Sequence, residues 1–302
     1  MILLQAVGYF FLLVASISSS ISMNFQKLAQ YELHYVDPRT RLVPRKKPLE
    51  TSVFCRPLFT LAIFLSFAAS TLDFLALTWL PPLTVGIFGC VSIIVNLVVS
   101  RVILFEKPNP KEWCAITLVI FGCLISISAK VSEIAEFTPP QLIERTTSCI
   151  YIVSNWVVFI SMSIALEHGK LLPPVIQRFG FPFIGGALGA QNVCMGKYIA
   201  WAVEQTIEVG HLAVRADVLA AVVGLCVSSV IVHVYWLNRG LEKHDAYFCI
   251  IVYQTSWFFF TTMSGIVVYD NMAKLNLMSQ LTFFVGCFLA MFGVWKISEL
   301  HD

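Results

Sequence analysis

Long apolar runs constrain this chain more than any other feature of its sequence. Each run holds about 20 mostly apolar residues, the length that a helix needs to cross roughly 30 Å of hydrocarbon. The runs lie at 2–24, 53–80, 83–105, 113–129, 148–166, 181–203, 218–237, 246–269 and 277–297. The sequence therefore predicts an all-α polytopic membrane protein with about nine transmembrane helices joined by short links.

The composition agrees with a surface that faces lipid rather than water. Charged residues make up 13% of the chain and hydrophobic residues 58%, whereas about a quarter of a soluble domain is charged. The net charge of +2 is too small to indicate a nucleic-acid partner. None of the nine cysteines belongs to a Cys-x-x-Cys pair, so neither a disulfide framework nor a zinc site is expected.

Basic residues predict how the chain is oriented in the membrane. If the links alternate between the two sides, fifteen of the twenty lysine and arginine residues fall on one side and four on the other, while Lys197 lies inside a span. Because positively charged loops stay in the cytoplasm, the N-terminus is predicted outside or in the lumen and the C-terminus in the cytoplasm. Unlike a signal peptide, the first run has no basic residue ahead of its apolar core, so it is expected to remain as a helix. The expected location is the plasma membrane or an endosomal membrane.

Two stretches of the chain match each other when the sequence is aligned with itself. One alignment places Ile-Leu-Phe-Glu at 103–106 on Val-Val-Tyr-Asp at 267–270. The same alignment, with no change of shift, places Phe-Gly-Cys-Leu at 121–124 on Val-Gly-Cys-Phe at 285–288. These matches predict an internal repeat.

A looser match, with a slightly larger shift, places Lys27 of the first span on Lys197 of the sixth. Since five spans separate the two copies, the second copy is predicted to run through the membrane upside down. The predicted organisation is a first repeat at 1–129 with spans one to four and a basic cytoplasmic loop at 25–52, a linker with the fifth span at 130–180, and a second repeat at 181–302.

Inverted repeats are a common construction of secondary transporters, in which the substrate site lies near the membrane midplane between the repeats. The repeat therefore predicts transport by alternating access. A duplication that now serves only helix packing is the alternative.

Three motifs resemble those of NIPA-type magnesium transporters. Within a helix pair at 81–127, Phe105–Lys107 reads Phe-Glu-Lys where that family has Asn-Glu-Lys, and Gly186–Gly189 with Lys197 is similar to the family's sixth span. Tyr235–Leu241 is close to the family's Asn-Tyr-Leu-Asn-Arg-Ala-Leu stretch. The resemblance covers nearly the whole chain. It implies the inverted-repeat fold of the drug/metabolite transporter superfamily and the transport of divalent cations, Mg²⁺ first.

One acid stands out inside the predicted membrane region. Asp73 is the only carboxylate well inside a span, where an unpaired charge costs several kcal/mol. It is a candidate Mg²⁺ ligand, because Mg²⁺ sites use one or two carboxylates and keep several waters. Lys197 lies at a similar predicted depth, so the two are expected to form an ion pair that a cation disrupts. A lysine that extends its ammonium to the interface is the alternative.

Neutral polar residues inside the spans are further candidates for the ion pathway, although each also suits a hydrogen bond between helices. They are Asn96, Asn155, Gln191, Asn192, Gln254 and Thr255. Asn238 and Arg239 at the cytoplasmic end of the seventh span are expected to have a structural or gating role, since arginine favours the negative end of a helix. His233 is expected to be a packing or rim group.

Divalent-cation transport is the first functional hypothesis. At 86–87 and 250–251 the chain reads Gly-Ile and Ile-Ile where the family has Thr-Pro, which keeps a drug/metabolite-type carrier of an organic solute as the alternative. A membrane enzyme is not expected, because the spans hold no array of catalytic groups, and short links disfavour a non-transporting scaffold. The expected partners are membrane lipids and the transported cation, with a homodimer left open and no cofactor.

Overall fold

The computed structural model describes residues 2–30, 56–80, 82–105, 109–128, 146–168, 172–212, 214–268 and 276–300. All regular structure in these ranges is helical. The helices are α1 (Ile2–Ala29), α2 (Pro57–Trp79), α3 (Pro82–Val99), α4 (Pro110–Ser128), α5 (Thr146–Glu167), α6 (Pro174–Val209), α7 (Ala216–Lys243), α8 (Ala246–Val267) and α9 (Leu277–Leu300), with a π-helical turn at Ser100–Leu104 after α3. Most of the predicted basic loop at 25–52, Glu106 and Lys107 of the family motif and most of the loop before α5 lie outside the described residues.

Six of the described helices, namely α1, α2, α5, α7, α8 and α9, are long and apolar enough to cross a membrane. In hydrocarbon a helix satisfies all of its own backbone hydrogen bonds, which is why long apolar runs adopt this structure. The chain is therefore an all-α polytopic membrane protein. Each of the nine apolar runs in the sequence overlaps one of the helices, and α6 extends furthest beyond its prediction at 181–203.

Local signals in the sequence set where several helices begin and end. Proline opens α2, α3, α4 and α6, because the first turn of a helix does not need the N–H that proline lacks. At the start of α4, the backbone N–H of Asn109 donates to the carboxylate of Glu112 at 2.5 Å, as in a capping box. The π-helical turn ends at Phe105, whose φ of 56° lies in the left-handed region.

The helices pack in a pattern that repeats along the chain. The α1 helix packs on α2 and α3, and α6 packs in the same way on α7 and α8. The α3 helix packs on α8, and α4 packs on α9, whereas α5 makes its contacts with α6 and α8. The largest cluster of buried apolar residues lies where α3, α4, α8 and α9 meet.

The pairing of α4 with α9 depends on two glycines. A Cβ at Gly122 would lie 2.7 Å from the carbonyl oxygen of Gly286, and a Cβ at Gly286 would lie 2.6 Å from the carbonyl oxygen of Gly122. Real Cβ atoms do not approach so closely, so the two backbones touch only because neither residue has a side chain. Small residues allow this close packing between membrane helices.

Candidate functional site

A cavity of about 210 Å³ lies between two groups of three helices. Its walls come from α1, α2 and α3 on one side and from α6, α7 and α8 on the other. The lining residues lie near the middle of most of these helices. Examples are Ser16 and Ser19 of α1 and Cys226, Val230 and His233 of α7. Six helices therefore line the cavity, most of them at about half their height.

Asp73 is the one carboxylate among the described residues that line this cavity. Its side chain projects from α2, one helical turn before Leu77, which also lines the cavity. No ion pair joins Asp73 to any other residue in the part of the chain that the structure describes. The cavity wall therefore holds one carboxyl group that forms no ion pair with a described residue.

Lys197 does not pair with Asp73, although its place in the sequence suggested that it would. The residue is 7% exposed, and its ammonium donates to the carbonyl oxygen of Leu77 and, at 3.5 Å, to that of Leu80. The physical reason is that the last carbonyls of a helix have no partner within the helix and lie at the negative end of its dipole. Because Lys197 binds the carbonyls at the end of α2, it does not occupy Asp73, whose carboxyl group can interact with a molecule or ion in the cavity.

Neutral polar groups complete the wall around Asp73. Asn192 of α6 and Gln254 of α8, two of the polar candidates from the sequence, both line the cavity. His233 also lines it, rather than lying at a rim, and its Nδ1 is 3.4 Å from Nδ2 of Asn192. Beside it lies Tyr253, whose ring centroid is 6.3 Å from that of His233.

Sequence reasoning missed the serines of the cavity wall, which are Ser16, Ser19, Ser66, Ser70 and Ser92. The run Ala-Ser-Ile-Ser-Ser-Ser-Ile-Ser at 15–22 is an unusual concentration of hydroxyls inside an apolar helix and could have revealed the residues of α1. The serines of α2 and α3 are single residues in apolar surroundings and give no such signal.

Other candidates from the sequence lie away from the cavity. Asn96 is fully buried and accepts a hydrogen bond at 2.7 Å from Asn24, which joins α3 to α1. Gln191 and Thr255 are also fully buried. Neither they nor Asn155 of α5 are among the residues that line the cavity.

Asn238 and Arg239 lie near the C-terminal end of α7 and contact nearby helical residues. The side chain of Asn238 donates to the carbonyl oxygen of Val234 at 2.9 Å, and its backbone carbonyl accepts at 3.3 Å from the side chain of Gln30, the residue that follows α1. The guanidinium of Arg239 lies 3.6 Å from the carboxylate of Glu242. The contact with Gln30 joins α7 to the end of α1, and none of these residues lines the cavity.

The chemistry of the wall suits a cation that keeps its water. In the described ranges no three His, Cys, Asp or Glu side chains stand close enough to hold a metal ion directly. Instead, the carboxyl group and the surrounding hydroxyls, amides and phenol can accept hydrogen bonds from the waters that a metal ion carries. A volume of about 210 Å³ has room for several waters, since each occupies about 30 Å³ in the liquid.

Comparison with known proteins shows the family of this chain. The family model for magnesium transporter NIPA matches residues 5–302. The chain is 18% identical over 308 aligned residues to a protein of Arabidopsis thaliana named probable magnesium transporter NIPA8, a match that covers 95% of this chain and 68% of that protein. No solved structure matches the chain. A family match over nearly the whole length means that this chain belongs to the magnesium transporter NIPA family.

Proposed function

We propose that this protein carries Mg²⁺ across a membrane by alternating access. The observation that carries the proposal is the mid-height cavity, which holds one carboxyl group without an ion-pair partner among the described residues and is lined by three helices of each group. Family membership and the name of the Arabidopsis relative support Mg²⁺ as the cargo. Nine membrane crossings, with the N-terminus outside or in the lumen and the C-terminus in the cytoplasm, are part of the proposal.

Helix packing supports two inverted repeats of four helices separated by α5. If α1 to α4 correspond to α6 to α9, the contacts of α1 with α2 and α3 become those of α6 with α7 and α8. The pairs α3–α8 and α4–α9 then each join a helix to its own counterpart. Gly122 and Gly286, which the alignment of the two repeats equates, touch each other where α4 crosses α9. This pattern suits a drug/metabolite transporter-like fold with a two-fold axis through the cavity.

Asp73 is the proposed anchor of the ion. Mg²⁺ gives up its waters reluctantly and usually binds through one or two carboxylates. In this proposal Asp73 attracts the hydrated ion, while Asn192, Gln254 and the serine hydroxyls accept hydrogen bonds from its waters. Two similar halves can then exchange conformations so that the cavity opens to one side and then to the other.

The first test is Mg²⁺ uptake by proteoliposomes that contain the purified protein, with Mg²⁺ compared with other divalent ions. Asp73→Asn is expected to lower the initial rate of Mg²⁺ uptake by about tenfold or more, because hydrogen bonds to a charged group contribute about 1.5–3 kcal/mol. Asp217→Asn is the matched control, since this aspartate is exposed near the start of α7 and pairs with Arg215. Equal uptake by wild type and Asp73→Asn would contradict the role of Asp73.

A carrier of a small organic solute remains the second candidate, and one feature of the cavity favours it. Phe74, Tyr253 and Trp257 line the cavity beside Asp73 and offer aromatic surface to an organic cation. Aromatic rings contribute nothing to a small hydrated metal ion. If the wild-type protein moves no divalent cation, competition and uptake experiments with organic cations would decide in favour of this candidate.

A further inference from the structure

Two buried lysines make the same kind of contact at two places in the molecule. Lys27 of α1 is 1% exposed and donates to the carbonyl oxygen of Leu241 and, at 2.8 Å, to that of His244 at the end of α7. Lys197 of α6 donates to the carbonyl oxygens of Leu77 and Leu80 at the end of α2. Each ammonium thus binds the last carbonyls of a helix that lies far away in the sequence.

The acceptors are related by the alignment that defines the repeat. The shift that equates Gly122 with Gly286 also places Leu77 on Leu241 and Leu80 on His244. The lysines themselves are related by the slightly larger shift of the looser match. Each lysine therefore belongs to the first helix of one half and binds the second helix of the other half. The two contacts are equivalents of each other across the proposed two-fold axis.

Each contact is costly to break, because it satisfies a buried ammonium group. An ammonium removed from water must be hydrogen-bonded, or its burial costs several kcal/mol. The carbonyls at a helix C-terminus supply both the acceptors and the negative end of the dipole. Moving the end of α2 away from α6, or the end of α7 away from α1, would therefore break the contact and open that region to water.

The two contacts lie at opposite ends of the cavity. Leu77 lines the cavity, and its carbonyl binds Lys197 at the end of α2 that faces outside or the lumen in the proposed orientation. Lys27 lies two helical turns beyond Ser19 along α1, about 12 Å by helix rise, at the end that faces the cytoplasm. Each contact holds the two halves together on one side of the cavity.

We propose that Lys27 and Lys197 are the two gates of the transporter, and that transport breaks one contact at a time. The Lys197 gate closes the cavity toward the outside or lumen, and the Lys27 gate closes it toward the cytoplasm. This inference rests on the proposed function, because gates matter only to a protein that opens its cavity alternately. Both contacts are made at once in the structure, as expected for a closed intermediate.

The test measures access to the cavity rather than transport. Cys226 lines the cavity and serves as the reporter after the other cysteines are replaced by alanine. Reconstituted vesicles of each orientation are treated with a membrane-impermeant thiol reagent, and the rate of Cys226 modification is measured by mass spectrometry. Ser70→Cys, on the opposite wall of the cavity, is a second reporter in a chain without Cys226.

Lys→Met substitutions remove the ammonium and keep an unbranched side chain. Lys197→Met is expected to raise the modification rate from the outer or lumenal side by about tenfold, which corresponds to about 1.4 kcal/mol in the opening equilibrium, with no rise from the cytoplasmic side. Lys27→Met is expected to give the reverse. Lys296→Met is the matched control, because that lysine pairs with Glu299 on the surface of α9. Lys197→Arg should restore slow modification, since arginine also donates hydrogen bonds.

Opposite sidedness of the two variants is the result that supports the gates. If both variants raise access from the same side, or if neither reporter changes in either variant, the proposal is overturned. A thermal unfolding profile of each variant close to that of wild type shows that the access measured is that of folded protein. The measurement of Cys226 access does not depend on Mg²⁺ transport. If the wild-type protein moves no divalent ion but the two variants still open the cavity from opposite sides, Mg²⁺ transport is refuted and the gates are retained.

Discussion

At the residue scale, neighbours in the sequence have different surroundings in the cavity region. Asn192 lines the cavity, whereas Gln191 beside it is fully buried elsewhere. The same holds in α8, where Gln254 lines the cavity and Thr255 does not. Successive side chains on a helix point about 100° apart, so one of two adjacent polar residues can face the cavity while the other faces a neighbouring helix.

This difference predicts unequal effects of two adjacent substitutions. Gln254→Leu removes an amide from the cavity wall and is expected to raise the KM for Mg²⁺ uptake by roughly threefold to tenfold, the equivalent of one hydrogen bond. Thr255→Val is the control, because its buried hydroxyl makes no hydrogen bond within the described residues and valine has nearly the same shape. A larger effect of Thr255→Val than of Gln254→Leu on initial uptake rates would contradict the assignment of the cavity wall.

At the element scale, close contact between helices determines which glycines matter. Gly122 and Gly286 allow α4 and α9 to touch, and Gly293 similarly lies against the backbone of Ala115. By contrast, a Cβ at Gly224 of α7 would meet nothing within 4 Å. At such a contact even an added methyl group forces the two helices apart.

The contrast between these glycines gives a prediction about stability. Gly286→Ala is expected to lower the midpoint of thermal unfolding in detergent, because α9 must move away from α4 and loses van der Waals contacts, at a cost of about 1–3 kcal/mol. Gly224→Ala is the matched control and is expected to leave the midpoint unchanged or raise it, since alanine favours a helix over glycine by about 1 kcal/mol. Equal midpoints for the two variants would show that the α4–α9 contact is not tight.

At the scale of the whole molecule, the distribution of basic residues sets the proposed orientation in the membrane, and this orientation decides which compartment each end of the cavity faces. The cavity lies between helix ends that the positive-inside rule assigns to opposite sides of the membrane. Because α7 is one of the helices that meet the requirements for a span, the residues at its two ends offer a direct test. Its orientation also decides which lysine gate faces which compartment.

Labelling of single cysteines would measure this orientation. In a chain without other cysteines, His211→Cys before α7 is expected to react with an impermeant thiol reagent added outside intact cells, or to the lumen of an organelle. Glu242→Cys at the end of α7 is expected to react only after the membrane is permeabilised. Both positions are exposed, so access to the reagent depends on the membrane. The reverse pattern would invert the proposed topology, and labelling of both positions from outside would mean that α7 does not cross.

The apolar runs by themselves determined that the chain is helical and embedded in a membrane. A segment without water must satisfy its backbone internally, and a run of about 20 apolar residues does so as a helix. Asp73 could also be singled out from the sequence as the only carboxylate well inside a predicted span, and it lines the cavity in the structure. The match between the two segments predicts which helices correspond, and that correspondence is part of the proposal. These conclusions depend on length, hydropathy and rare charges, which are local properties of the sequence.

Only the tertiary structure decided which polar residues meet. A helix that is apolar nearly all round has no face that the sequence marks as inward, so the positions of Asn96, Gln191 and Thr255 could not be assigned beforehand. The same ambiguity hid His233 and the serines of α2 and α3. The partners of Lys27 and Lys197 are backbone carbonyls, which every residue possesses, so no sequence pattern could identify them before the helices were packed together.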